Sequence, residues 1–231
     1  VITKQNILEN NLSATVNGDQ YDQTSINIRT NYQRDLSSIG INLSSENADG
    51  YRDHSEYKKN TLSGSYSGLI NANNSFSIDL RYDELNLQNS GALTENLFDS
   101  NHLQSHSMYA GDYREYKKLG ATLQFSRGTN NKLSILSGIR ALDQDEARTI
   151  QLTSELGDSQ FEKQTSTVLW NQIKYQTRLN KTKIHFGLDS EYGFFTSNYQ
   201  DINTKQKLSD GSGTGNKLGL YLQAKHNIND N

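Results

Sequence analysis

The sequence predicts an all-β chain forming an antiparallel transmembrane β-barrel, and three observations predict it. Apolar and polar residues alternate with period two in segment after segment. The connections between those segments are by turns short and long. The chain of 231 residues has no proline and only 32% hydrophobic residues, with a mean hydropathy of −0.82. A soluble domain is roughly 45–50% apolar with Gly included, and shows apolar helices or core strands.

The segments follow in order. In "SINIRTNY", Ile26, Ile28, Thr30 and Tyr32 share one face while Asn27, Arg29 and Asn31 share the other, because successive side chains of a strand point to opposite sides. Ile39, Ile41 and Leu43 continue the pattern. In "SFSIDLRY", Phe76, Ile78, Leu80 and Tyr82 oppose Ser77, Asp79 and Arg81. The split recurs at Leu119, Ala121, Leu123 and Phe125, then at Leu133, Ile135, Ile139 and Ala141. Ile173, Tyr175 and Leu179 oppose Gln172, Lys174, Gln176 and Arg178, and Ile184, Phe186 and Leu188 follow. Leu218, Leu220, Leu222 and Ala224 close the series. About ten strands are expected, each near the ~9–11 residues that cross a bilayer when tilted. No helix is expected.

The connections separate a membrane barrel from a soluble sandwich. "QRDL" at 33–36, "NANN" at 71–74, "RGTNN" at 127–131, "NKT" at 180–182 and the closing "NINDN" are short. Residues 46–60, 86–113, 145–164 and 200–216 are long and polar, and "GDQYDQ" is brief. Short turns on one side and long loops on the other are the pattern of an outer-membrane barrel, with periplasmic turns and extracellular loops. Such a barrel reads as hydrophilic because only every second strand residue meets lipid. Missing proline fits as well, since proline would remove a ladder donor.

Composition excludes several classes. A net charge of −3, a pI near 6.0 and scattered basic residues give no basic stripe, so no nucleic-acid partner is expected. Zero cysteine removes disulfides and thiolate sites. No apolar run reaches the ~18 residues of a membrane helix, and no signal peptide opens the chain.

Four motifs resemble the TonB-dependent outer-membrane receptors, over essentially the whole chain. "VITK" at the start is similar to the end of their plug domain, and "NADGYRDHSEYKKNTLSGSYSG" to their first long loop and the following strand. "YDELNLQNSGALTENLFDS" resembles the loop carrying "LPGALT" in ferric-siderophore receptors, with Ser90 where proline is usual. "LGLYLQAKHNINDN" resembles a strand and periplasmic turn of the family, with Ala224 and Lys225 in place of an acidic pair. The resemblance implies that residues 1–10 end the plug and that 11–231 are a partial barrel, the N-terminal half of a 22-stranded plugged one. A complete ten-stranded barrel is the structural alternative.

The function the resemblance implies is TonB-dependent uptake of a scarce solute, a ferric siderophore or other iron chelate, at the outer membrane of a Gram-negative bacterium. Haem, cobalamin or another small cofactor are alternative cargoes. A passive porin or an outer-membrane hydrolase is the alternative from another class, although no strand-end cluster of Ser, Asp and His has a catalytic signature. The expected partners are the solute, outer-membrane lipid and the TonB complex, the last through the plug segment that precedes this chain. No cofactor and no resident metal are expected. Arg offers planar multidentate donors to anionic chelates, so the candidate ligand residues are Tyr51, Arg52, Tyr109, Tyr113 and Arg114 in or beside the long loops, with Trp170. Trp170 shares the lumen parity of Gln172 and Lys174 and is placed near the outer end of its strand, where a rim anchor is the competing role. His102 and His106 stand at i and i+4 without the Glu of a metalloprotease motif, and His185 has lumen parity.

Overall fold

A computed structural model describes residues 10–19, 22–128, 131–153 and 156–226. The segments expected at 1–9 and the "NINDN" turn at 227–231 lie outside these residues. The described residues form ten strands and one short helix. The strands are β1 (Asn11–Gly18), β2 (Thr24–Arg34), β3 (Ser37–Ala48), β4 (Tyr57–Asn71), β5 (Asn74–Gln88), β6 (Tyr113–Arg127), β7 (Lys132–Gln151), β8 (Gly157–Leu179), β9 (Thr182–Asp201) and β10 (Lys207–His226). The helix, α1, is Glu95–Ser100, followed by a single 3₁₀ turn at Ser107–Tyr109. Each strand pairs antiparallel with the next in one ten-stranded sheet, and β1 and β10 are its two edges.

The register carries the alternation across the sheet. Ile28, Leu43, Leu62, Tyr82, Leu119 and Ala141 stand opposite one another from β2 to β7. Ile135, Ile173, Leu188 and Leu220 do the same from β7 to β10. One face is therefore a continuous apolar band. Ser137, Asn171 and Ser190 stand side by side within it, so small or amide side chains replace aliphatic ones there. The opposite face carries Arg29, Asn42, Ser63, Arg81 and Arg140, all polar and all in register through Gly120.

The short turns drift steadily along these rows. Ser37, just past the β2–β3 turn, shares its row with Gly68, Phe76, Phe125, Ile135, Ile173 and Leu188. The β8–β9 turn lies beyond the Leu179–Thr182 pair, well below that row. The drift is roughly one residue per strand, which with a ~3.3 Å rise and a ~4.8 Å strand spacing is a tilt of about 35°. That is the tilt of a barrel wall, whose strands lean by roughly 35–45°.

A single-layer sheet has no interior of its own. The surface is 15910 Å², against about 10,600 Å² for a compact chain of this mass. Among the described residues Leu85, Tyr109 and Ala147 are the buried apolar ones, while Leu218, Leu220 and Leu222 are each at least 67% exposed. Among the described residues no second layer covers the apolar band.

Two expectations are corrected. The loops expected at 145–164 and 200–216 are largely strand: β7 runs to Gln151, β8 starts at Gly157, β9 ends at Asp201 and β10 starts at Lys207. In these extensions the apolar alternation that marks a strand disappears while the pairing continues. Strands of 20 to 23 residues result in β7 to β10, twice the length expected. Helix α1 is the second correction: it occupies the loop between β5 and β6, with Glu95 in its first turn.

Candidate functional site

Register sorts the candidate residues onto two faces. Trp170 pairs with Gly138 and Glu191, and Glu191 with Lys217, in a row of the polar, lumen-side face. A Cβ on Gly138 would come within 2.4 Å of the Trp170 indole, so the glycine leaves a seat on which the ring lies flat against the neighbouring strand. Lys217 Nζ donates to Glu191 Oε1 at 3.1 Å. Trp170, Gln172, Asp189, Glu191 and Lys217 line a groove of about 490 Å³ with Leu136. Trp170 sits inside β8 rather than near its outer end, because β8 continues upward to Gly157. Its position is inside the sheet.

Arg114 is on the same lumen-side face, higher up. Its Nε and Nη2 donate to Glu146 Oε2 at 2.9 Å and Oε1 at 3.0 Å, a bidentate pair. Gln144 Nε2 adds a bond to Glu146 Oε2 at 3.2 Å. The guanidinium is therefore neutralised by its own wall and offers a planar surface rather than a free charge. Lower on this face, Arg81 donates to both oxygens of Asp83 at 2.7 Å, and Thr61 Oγ1 to Asp83 Oδ1 at 2.8 Å. At the top of β4, burial first, and then a hydrogen bond to the Glu46 carboxylate, push the Tyr57 phenol up to about 12. Tyr57 stays protonated and donates.

Of the other four candidates, Tyr51, Arg52 and Tyr109 belong to a platform made by the loops at 49–56 and 89–112, and Tyr113 opens β6 directly after it. Arg52 Nη1 donates to the Gly91 carbonyl at 2.7 Å, and its Nε and Nη2 donate to the Gln104 carbonyl at 3.1 and 2.9 Å. The Asp53 amide donates to the Leu103 carbonyl at 2.8 Å. Thus "GYRD" and "GALT", parts of two of the four motifs that carried the resemblance, are bonded to each other. Gly91 has φ +64°, and any Cβ there would enter the Tyr109 ring. Tyr109, 6% exposed, donates its hydroxyl to Gln151 Oε1 at 3.1 Å.

Asp112 anchors the platform. It is 2% exposed, and its carboxylate accepts from the Thr149 amide at 2.8 Å and the Thr149 hydroxyl at 2.7 Å. Its carbonyl accepts from the Asn89 amide at 3.0 Å and contacts His54 Nε2 at 2.8 Å. Thr149 and Tyr113 have the parity of the apolar band, since Ala147 pairs with Tyr113 and unbroken alternation leads down to Ile139. The platform therefore lies against the face that carries the apolar band, with Arg52 and Tyr109 bonded within it. Tyr51 remains exposed, its ring 6.0 Å from that of His102, which is also 6.0 Å from Phe98. The two loop histidines part company: His106 caps the 3₁₀ turn, its Nδ1 accepting from the Met108 amide at 3.0 Å. No group of three metal-binding side chains occurs among the described residues.

Asp112, Thr149 and Lys217 were missed from the sequence. Lys217 had a signal, since it alternates with Leu218 and Leu220 in "NKLGLYL". The others had none, because their partners are distant in the chain.

No family model matches the chain, and the curated proteins contain no sequence match. Solved structures do match. The ferric citrate transporter FecA in its unliganded form is 14% identical with a TM-score of 0.76, over 90% of this chain and 33% of that one. The ferric-catecholate import receptor Fiu of Escherichia coli K12, open form, is 14% identical with a TM-score of 0.76, over 99% and 43%. The copper transporter OprC is 10% identical with a TM-score of 0.72, over 96% and 35%. The fold is that of the barrel wall of TonB-dependent receptors, as the motifs implied. The chain spans between a third and a little over two fifths of these proteins. They are transport receptors rather than enzymes.

Proposed function

We propose that this chain is part of the barrel of a TonB-dependent outer-membrane receptor whose cargo is a ferric siderophore or other iron chelate. The observation that carries the reading is the two-faced sheet: a tilted apolar band on one side and a polar wall with paired charges on the other. A solute crossing beside that wall meets Trp170, Gln172 and Lys217 around one groove. Because Lys217 is paired with Glu191 and Arg114 with Glu146, the wall favours hydrogen bonding and ring stacking over net charge attraction. The TonB complex acts through the plug, so energy coupling belongs to the parent protein and not to these residues.

Growth of a deletion strain on single ferric siderophores under iron limitation tests the reading, with uptake of the labelled chelate measured alongside. At least one iron source is expected to depend on the gene. Growth on every iron source without it, together with expression indifferent to iron, removes the iron reading in favour of haem, cobalamin or another solute.

A further inference from the structure

The groove beside Trp170 is chemically lopsided. On the β7 side Leu136 and the Trp170 indole, lying over Gly138, present apolar surface, while the carboxylates of Asp189 and Glu191 stand together on β9. Glu191 is answered by Lys217 at 3.1 Å. Asp189 is not: its Oδ1 is shut off from solvent and accepts no hydrogen bond among the described residues. Asp145 Oδ1 is in the same condition, but Lys163 Nζ stands 3.6 Å from it. No cation stands at such a distance from Asp189 among the described residues. Arg140 and Lys174, the next cations on this face, lie one row above the groove and one row below it, and both are exposed. A buried acceptor without a donor costs roughly 1–3 kcal/mol. Asp189 therefore lacks a donor that this part of the wall does not supply.

Position and chemistry select an occupant. On the opposite face the rows beside and above Trp170 read Leu169 with Tyr192, Thr167 with Phe194, then Thr165 with Thr196, whose hydroxyls bond each other at 2.7 Å. The groove thus opens just below the upper limit of the apolar band, on the path of a solute that enters from the long-loop end. Its volume of about 490 Å³ is within the ~300–1,000 Å³ of small-molecule sites. A carboxylate or phosphate seated there would face two like charges on β9. An alcohol would give Asp189 a single neutral bond. An ammonium or guanidinium brings several N–H donors and the opposite charge, and a cation over an indole face gains roughly 0.5–2 kcal/mol more. An apolar stem behind the cation would cover Leu136.

We propose that this groove receives a cationic arm of the cargo, an ammonium or guanidinium on a ring or short apolar stem, with Asp189 as its counter-ion and Trp170 as its stacking face. The inference rests on the lumen reading, in which cargo passes this wall, and it names the cargo class: a chelate with a positively charged arm rather than a polyanion. The test uses the full-length parent in detergent and three probes of one shape, phenethylammonium, phenethyl alcohol and 3-phenylpropionate. Binding is read as the Trp170 emission, taken as the difference between the parent and Trp170→Phe. The ammonium is expected to bind roughly tenfold tighter than the alcohol, and the carboxylate more weakly than either. Asp189→Asn is expected to bring the ammonium down to the affinity of the alcohol. Lys217→Gln works in the opposite direction, because it frees Glu191: the ammonium should tighten by about threefold with the alcohol unchanged. The Lys217 side chain is 81% exposed, so this variant decides the matter should Asp189→Asn fail to fold. Equal binding of the three probes, a carboxylate that outbinds the ammonium, no change of emission with any probe, or an ammonium affinity that neither variant moves overturns the proposal. Growth on ferric siderophores separates the two readings. An iron source that depends on the gene, without an ammonium preference in the groove, removes the groove assignment alone; an ammonium preference in a parent on which no iron source depends removes the iron cargo alone.

Discussion

Arg52 gives its guanidinium to backbone carbonyls of Gly91, Gln104 and, more weakly, Ser90, and so joins two loops that are far apart in sequence. Charged hydrogen bonds of this kind are worth ~1.5–3 kcal/mol each in favourable cases. Arg52→Ala is expected to loosen the platform by about 2–4 kcal/mol, read as faster hydrogen exchange at the Asp53 and Asn89 amides, while Arg52→Lys recovers only part of it. Unchanged exchange would mean that the loops stand without the latch. Trp170 is the single tryptophan of the sequence, which makes its environment measurable as the difference between the parent and Trp170→Phe. Its fluorescence should be quenched by aqueous acrylamide and not by brominated lipid; the reverse would put it on the lipid side. Parity alone put Trp170 on the face of Gln172 and Lys174, whereas Arg114 was expected in or beside a long loop and only the register shows it on that face. The role of Arg52 was not legible, because its acceptors are carbonyls, which every residue carries and no sequence pattern marks.

At the scale of elements, the short turns were legible and the long ones only in part. "NANN" and "NKT" are turns because Asn at these positions tolerates tight backbone, as Asn180 does at φ +53°. "SDGSGTGNK" reads as a flexible loop, yet it is the upper part of β10, paired residue by residue with β9. Gly213 accepts the Phe195 ring, which a Cβ would meet at 2.7 Å; a neighbour's side chain covers what the glycine lacks. Strand membership above the membrane depends on the partner strand, and no single segment contains that information. Within the membrane the face decides everything. An arginine near the midplane of the lipid side costs roughly 2–4 kcal/mol, so Ile78→Arg is expected to impair assembly of the folded, heat-modifiable barrel. Ser77→Arg, opposite Ser67 and Gln124 on the lumen side, is expected to assemble normally. Equal behaviour of the two would refute the assigned parity.

Across the described residues the sheet is one layer thick. Backbone groups are paired within the ladder except along the outer edges of β1 and β10, and among the described residues no second layer covers the apolar band. The platform, with buried Tyr109 and Asp112, is the one region of the described residues that builds a small core of its own. Everything proposed for the lumen depends on which face meets lipid. The chain has no cysteine, so single cysteines introduced from Ser75 to Asp83 along β5 in an otherwise cysteine-free parent report that face directly. In outer membranes, a small water-soluble thiol reagent is expected to label positions 77, 79 and 81 and to spare 76, 78, 80 and 82, with period two. Labelling of both sets alike would contradict a membrane-spanning wall with its polar face to the lumen.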